Sequence, residues 1–331
     1  MELDLSGNVS QVEVPIASDQ AVRFTELWER LFKVSYEAWY HVLSGSEGAV
    51  NRNVIYYCED DRSLMGTCLL TVRQTDPLLG GLGEVAVAEP FREQGIATIL
   101  CRKARDDFFS AGGEALFLGT VNPAAERIYA SLGWQPILGT SVMVALRNDE
   151  TPETFFARYF DHQRQPVDCR IARANVRIPL IPLALYPHKW KLLDANTKLM
   201  STRYVVQSSC MGLYPKYGFG IGKSRAVAYA CWTPDDRLVG IVTARMENGE
   251  VAVVDGFVHP EWCGQYENLM GYAIRWARRY GLREALVKVL IEDDDKYNLL
   301  VSTGFLDLGR RTKIVIAEQQ LEAAWLSCNI M

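Results

Sequence analysis

Two short stretches of the chain place small, polar and aromatic residues at spacings that could do chemistry. The first is Gly83-Glu84-Val85-Ala86-Val87-Ala88-Glu89-Pro90-Phe91-Arg92-Glu93-Gln94-Gly95-Ile96-Ala97-Thr98, which reads as a strand, a tight loop and a helix start. Its loop has the form Arg92-x-x-Gly95-x-Ala97. Small residues at 95 and 97 let backbone approach a ligand closely. Successive N–H groups at a helix N-terminus then form a nest for an anion such as a pyrophosphate. A plain turn into an amphipathic helix has the same look. The second stretch is Asn122-Pro123-Ala124-Ala125-Glu126-Arg127-Ile128-Tyr129-Ala130-Ser131-Leu132-Gly133-Trp134. Asn is a good N-cap and Pro is favoured at the first helical position, so a short helix starts here and ends at Gly133.

Other candidates fail on spacing. Gly218-Phe219-Gly220-Ile221-Gly222-Lys223-Ser224 looks superficially like a P-loop. A P-loop needs four residues between its first Gly and the Gly-Lys-Ser/Thr, but position 217 is Tyr217, and starting from Gly218 leaves too few. The segment also precedes a strand instead of opening a helix, so nucleotide hydrolysis is set aside. The four histidines form no H-x-x-x-H pair and the eight cysteines no C-x-x-C pair, so no metal site is expected. Cys263 has no assignable His partner and is not read as a nucleophile. The cysteines read as reduced thiols, mostly small core residues.

The elements around these stretches are legible from periodicity. Trp28, Phe32, Tyr36 and Tyr40 recur every four residues, predicting one helix from Phe24 to about Val42. Its aromatic stripe reads as core. Residues 54–58, 64–72 and 82–87 read as strands, with a polar turn at 59–63. A helix follows from Ile96 to about Ser110, with Ile96, Ile99, Leu100, Ala104 and Phe108 on one face, and stops at Ala111-Gly112-Gly113. Strands at 115–121 and 137–146 flank the short helix. Residues 147–170 are polar and charged, with one short aromatic helix candidate. The pattern then restarts: strands at 225–231, 237–246, 250–258 and 285–291, and helices near 265–280 and 295–302.

The restart is a duplication. Val87 and Val258 are 171 residues apart, and so are Gly133 and Gly304, each glycine being followed by an aromatic residue. The stretch between them is gapless in both halves, a long-period repeat of one α/β unit.

Taken together, in order and spacing, the two chemistry-bearing stretches resemble the GNAT superfamily of acetyl-CoA-dependent N-acetyltransferases. The cofactor loop there is Q/R-x-x-G-x-G/A after a central strand, and an N-x-x-A-x-x-x-Y-x-x-x-G-F type segment follows. The resemblance covers residues 15–147 closely and 171–318 in degenerate form. It implies an α/β (α+β) fold of two tandem GNAT domains, each a mixed, mostly antiparallel central sheet flanked by helices. The expected layout is an active domain at 1–150, a linker at 151–170 and a degenerate domain at 171–331.

The resemblance also assigns roles. Backbone groups of Val85 and Val87 would pair with the pantetheine arm of acetyl-CoA like an added strand. The loop of Arg92, Gln94, Gly95, Ile96, Ala97 and Thr98 would hold the pyrophosphate, its amides doing the binding. Asn122 would contact the pantetheine or a bound water, a helix N-cap being the alternative reading. Tyr129 would sit near the cofactor sulfur and protonate the leaving thiolate, or else be a core aromatic. Glu84 is the best-placed candidate to draw the proton from the attacking ammonium, against the reading of a polar residue on a strand edge. A backbone N–H near Val87 would meet the oxyanion. No metal is required.

In the second copy each of these positions has changed. Arg92 becomes Cys263, Gly95 becomes Tyr266, Ala97 becomes Asn268, Asn122 becomes Asp293 and Tyr129 becomes Leu300. Tyr266 and Asn268 are expected to put side chains where phosphates need bare backbone. Asp293-Asp294-Asp295 would place negative charge along the cofactor path. One acetyl-CoA per chain is therefore expected, with the second fold serving packing, homodimerisation or a wall of the acceptor pocket.

Function then reads as acetyl transfer to a primary amine of a small molecule. The alternatives are acetylation of a protein N-terminus or lysine, and a non-catalytic acetyl-CoA sensor or scaffold. A net charge of −5 and a sequence pI near 5.6 argue against nucleic acid as partner. The N-terminus lacks signal-peptide features and no apolar run is long enough to span a bilayer, so a cytoplasmic protein without a membrane partner is expected.

Overall fold

Residues 9–60, 63–161, 167–218, 225–316 and 319–330 are described by the computed structural model. The chain divides into two units, Met1–Phe155 with Ser208–Met211, and Phe156–Gln207 with Gly212–Met331. The glycine-rich loop at 219–224 and part of the turn at 59–63 lie outside the described residues.

The first unit begins with β1 (Val9–Glu13), α1 (Ser18–Phe32) and α2 (Trp39–Leu43). Then come β2 (Asn51–Glu59), β3 (Leu64–Arg73), β4 (Leu79–Val87), α3 (Ile96–Ser110), β5 (Ala115–Gly119), α4 (Pro123–Ser131), β6 (Trp134–Pro136) and β7 (Val142–Leu146). Its seven strands run in the order β1-β2-β3-β4-β5-β7-β6, and every pairing is antiparallel except β4 with β5. One side packs α3 through Ile96, Leu100, Ala104 and Phe108 onto Cys68, Leu70, Leu82, Leu116 and Leu118. The other packs α1 through Phe24, Leu27 and Trp28 onto Ile55, Leu69 and Ala86.

The single helix expected over 24–42 is two helices. Lys33 takes a left-handed φ of 58°, and its N–H closes α1 on the Glu29 carbonyl. The Glu29 carboxylate then accepts from the N–H of Tyr36 at 2.8 Å. A left-handed residue cannot be threaded by an α-helix, so Tyr36 sits in the connection and the ladder restarts at Trp39. The expected strand over 137–146 is also shorter, because the chain turns through Gly139 (φ 77°) between β6 and β7.

The second unit holds most of α5 (Pro152–Phe160), which fills part of the charged stretch and buries Phe156, Tyr159 and Phe160. It continues with β8 (Asp168–Ile171), α6 (Leu180–Leu185), β9 (Leu192–Asp194), β10 (Leu199–Met200), β11 (Ala226–Trp232), β12 (Leu238–Met246), β13 (Val251–Val258), α7 (Tyr266–Arg279), β14 (Glu284–Leu290), α8 (Asp294–Ser302), β15 (Leu306–Ile316) and β16 (Gln319–Asn329). Its large sheet runs β8-β11-β12-β13-β14-β16-β15, with β13 and β14 as the parallel pair. Strand for strand this is the topology of the first unit, so the repeat seen at a spacing of 171 residues is a repeated fold.

The thiols are not all reduced. Cys169 and Cys231 face each other in register on β8 and β11 and are joined by a disulfide. Neighbouring antiparallel strands bring directly opposed Cβ atoms within disulfide reach, which cysteines far apart in sequence do not announce. Among the described residues no helix is long and apolar enough to cross a membrane.

Candidate active site

The parallel ladder between β4 and β5 is short. It joins Leu79 to Ala115, Gly80 to Leu116 and Gly81 to Phe117, and beyond that pair the strands part. β4 also loses register with β3 beyond the splay: Thr67 faces Ala86 and Leu69 faces Gly83, so Glu84 and Val85 together oppose Cys68. This is a β-bulge, which re-aims a strand locally. Glu84 carries the cost, with a φ of 48°. A relay of two hydrogen bonds holds it: Trp28 Nε1 donates to Thr67 Oγ1 at 2.8 Å, and Thr67 Oγ1 donates to the Glu84 carbonyl at 2.9 Å.

The Glu84 side chain is half-buried, its Oε1 3.5 Å from the Tyr36 hydroxyl. That distance is too long for a strong hydrogen bond. Burial first, and the Glu84 charge second, push the Tyr36 hydroxyl well above the ordinary tyrosine range. Sequence reasoning placed Tyr36 in a helix interior. Only the break at Lys33 brings it beside Glu84, and no local pattern announces that break.

The loop from β4 into α3 is exposed at Arg92, Glu93, Gln94 and Gly95. Arg92 Nε reaches back to the Val87 carbonyl at 3.4 Å, and Gln94 Nε2 donates to the Pro90 carbonyl at 3.2 Å. Gly95 caps α3 with a φ of 81°, and a Cβ built on it would meet nothing within 4 Å. The glycine therefore answers to its left-handed backbone and to open space in front of it, not to crowding. Ile96 is buried and anchors the helix start, while Ala97 and Thr98 are half-buried beside it. The first amides of a 15-residue helix thus open next to an exposed glycine. Val85 and Val87 are half-buried against the α3-side core.

Tyr129 is 6% exposed on α4, its ring 6.2 Å from that of Trp134. Burial, and then the Cys101 and Cys68 thiols, drive its hydroxyl far above the ordinary range. Tyr129 shares the α3-side core with Cys68, the residue opposite the bulge. Asn122 is the N-cap of α4, its Oδ1 accepting from Ala124 N at 2.9 Å. One contribution was not visible in the sequence: Ser208–Met211 packs against the parted ends of β4 and β5.

Residues 15–134 match the acetyltransferase (GNAT) family model. This part of the chain is a GNAT acetyltransferase domain. Among curated proteins none matches the chain. The chain is similar to several solved structures. One is a spermidine N-acetyltransferase variant from Vibrio cholerae, at 14% identity over 50% of this chain and 94% of that one, with a TM-score of 0.39. A putative phosphinothricin N-acetyltransferase is 12% identical over 50% of this chain and 99% of that one, TM-score 0.37. A nourseothricin acetyltransferase is 19% identical over 33% of this chain and 67% of that one, TM-score 0.30.

The second unit repeats the GNAT topology without the features of the first unit's site. β12 and β13 pair in unbroken register from Gly240–Val258 to Met246–Ala252, with no bulge. Tyr266 does not fill a phosphate seat as the sequence suggested. It has right-handed helical backbone, and its ring is fully buried against Trp190. The aromatic ring is worth more in the core than in solvent, and losing the left-handed glycine lets α7 begin one residue earlier. Asp293 likewise does not project charge outward. It is buried and accepts from Lys191 N at 2.6 Å and Leu192 N at 3.0 Å, tying down β9. Asp255, which occupies the place of Glu84, is buried in an ion pair with Lys296 at 2.7 Å.

Proposed function

We propose that the GNAT domain transfers an acetyl group from acetyl-CoA to a primary amine of a small molecule, binding one acetyl-CoA per chain. The observation that carries this reading is the exposed, left-handed Gly95 at the start of α3, alongside a β4 that is bulged and parted from β5. The residues present fit the cofactor. Open space in front of Gly95, and first-turn amides that an α-helix leaves without intrahelical partners, suit a pyrophosphate. The β4 edge beyond Gly81 has no β5 partner and suits an extended pantetheine arm.

When bound, acetyl-CoA supplies a thioester carbonyl that a neutral amine can attack. In this reading amides from Gln94 to Thr98 hold the phosphates and Arg92 adds positive charge at the rim. Backbone of Val85 and Val87 orients the arm, and an N–H near Val87 faces the developing oxyanion. Glu84, half-buried at the bulge, takes the ammonium proton directly or through water. Tyr129, kept protonated by burial, holds a proton at its hydroxyl for the departing thiolate. Asn122 fixes the start of α4 and so the position of Tyr129.

Calorimetric titration of the full chain with acetyl-CoA, followed by chromatographic detection of released CoA over a panel of primary amines, tests the reading. One site and amine-dependent release are expected. Absence of binding, or binding without release for every amine, refutes it. A second site that disappears on changing Tyr266 or Asn268 refutes the single-site stoichiometry.

A further inference from the structure

The segment Ser208–Met211 groups with the first unit although it comes far downstream in sequence. It lies where β4 and β5 begin to part. A Cβ on Gly119 would meet Ser209 Cα at 3.1 Å, the Ser208 carbonyl oxygen at 3.2 Å and Cys210 N at 3.3 Å, and the Cβ position of Gly83 is 3.5 Å from Met211 Cγ. Each glycine lies two residues beyond the last ladder pair, Gly81 with Phe117. The segment therefore spans both strands at the root of the splay. Cys210 is 1% exposed and feels the Glu84 charge, while Met211 is half-buried.

Strand alternation fixes the face. Leu116 and Leu118 point into the core beneath α3, so Gly119 points to the opposite side. Residues 208–211 thus cover the splay on the side away from the α3 loop, where the cofactor is proposed to bind. What remains on their side is the route by which an amine would reach Glu84.

We propose that Cys210 and Met211 are specificity-determining residues that wall the amine side of the splay, admitting a slender primary amine and shutting out an amine embedded in a polypeptide. The inference rests on the acetyl-transfer reading above. A lysine or N-terminus within a protein brings flanking backbone that must lie across β4 and β5, and residues 208–211 already lie there. Gly119 is part of the device. Any side chain on it would push against backbone atoms of the segment, which cannot rotate away as a side chain tip can.

The test uses the full chain as wild type, Met211→Ala and Gly119→Val. Ethylamine, benzylamine and an N-acetylated lysine-containing hexapeptide serve as acceptors, with CoA release and acetyl-CoA affinity as readouts. Wild type is expected to favour ethylamine over the peptide. Met211→Ala should raise kcat/KM for benzylamine about tenfold or more, the scale of removing one side chain from a pocket wall. Acetyl-CoA affinity should hold, so the readout is the ratio of benzylamine to ethylamine kcat/KM. Gly119→Val should gain the peptide as acceptor, and if it does not fold, Met211→Ala decides alone. The proposal is overturned if the acceptor ranking stays the same in Met211→Ala while acetyl-CoA still binds. It is equally overturned if wild type accepts the peptide as readily as ethylamine, or if all acceptors and acetyl-CoA weaken together. Failure of wild type to bind acetyl-CoA is a different result, which removes the acetyl-transfer reading and this inference with it.

Discussion

Lys296→Met should destabilise the second unit and leave the first intact. Lys296 is fully buried, with Nζ 2.7 Å from Asp255 Oδ1 and donating to the Leu192 and Leu193 carbonyls at 3.0 Å each. Asp194 joins the network through Thr243, whose hydroxyl lies 3.0 Å from Asp194 Oδ2. Methionine is close in length and shape, so the change removes charge and donors more than volume. Taking one partner from a buried ion pair costs about 3–5 kcal/mol. The two carbonyls that lose their donor fall within that range, because their loss is part of the same event. At about 2–4 °C per kcal/mol for a unit of this size, Tm should fall by roughly 6–20 °C.

The deficit should also depend on pH. Burial, and then the charge of Asp255, raise Asp194 from 3.8 to about 7, and burial raises Asp255 as well. A carboxyl whose folded value is raised contributes stability that is fully present below its unfolded value and is lost as pH rises through the folded one. For Asp194 that loss completes as pH passes about 7. Without the lysine charge both acids shift further up, so the deficit of the variant should be larger at pH 8 than at pH 5. Scanning calorimetry of the full chain at both pH values measures this, with acetyl-CoA added to mark the transition of the first unit. Adding Asp255→Leu should restore part of the loss, since an apolar replacement of a buried pair is often neutral. A deficit under about 1 kcal/mol, or one that grows toward pH 5, would refute the reasoning.

Gly95→Tyr should abolish acetyl-CoA binding in calorimetry, with a stability loss of about 1–2 kcal/mol from placing a side chain at a φ of 81°. Tyr129→Phe should lower kcat by about 10²–10⁴-fold with the acetyl-CoA KM nearly unchanged; an unchanged kcat across pH would end its proposed role. Thr67→Val strands the Trp28 N–H and the Glu84 carbonyl in one step, costing about 1–3 kcal/mol in denaturant unfolding and weakening turnover more than cofactor affinity. Reduction of Cys169–Cys231, which closes a separation of 62 residues, should cost the second unit about 4 kcal/mol in calorimetry. The same reduction should leave acetyl-CoA affinity unchanged.

What the sequence disclosed was local or periodic. The α3 face repeats at helical spacing, Gly95 marks a left-handed cap, and the paired glycines before Trp134 and Phe305 revealed a fold made twice. What it hid depends on neighbours distant in the chain. β16 reads as Gln-Gln-Leu-Glu-Ala-Ala-Trp-Leu, a run of good helix formers, yet it is a strand because it lies between β14 and β15 with Ala323, Ala324 and Leu326 buried. β15 was lost in a register shift between Asp307 and Arg311 that breaks its alternation. Tyr266 was legible as the loss of a glycine but not as a core residue, since its destination depends on Trp190. The bulge at Glu84 leaves no trace in residue types, because it is a mismatch in count between two strands.

The residues that pack on Gly83 and Gly119 are made long after the strands that carry those glycines. During synthesis the first sheet can assemble as soon as β7 has emerged. Its splay gains Cys210 and Met211 only once the opening stretch of the second unit has also been translated. The nascent domain therefore passes through an interval in which the root of the splay is bare. A fragment cut after Leu146, where the sheet is complete, would stay in that interval permanently. On the acetyl-transfer reading its behaviour toward amines would be that of an assembly intermediate, so a test of acceptors calls for the whole chain.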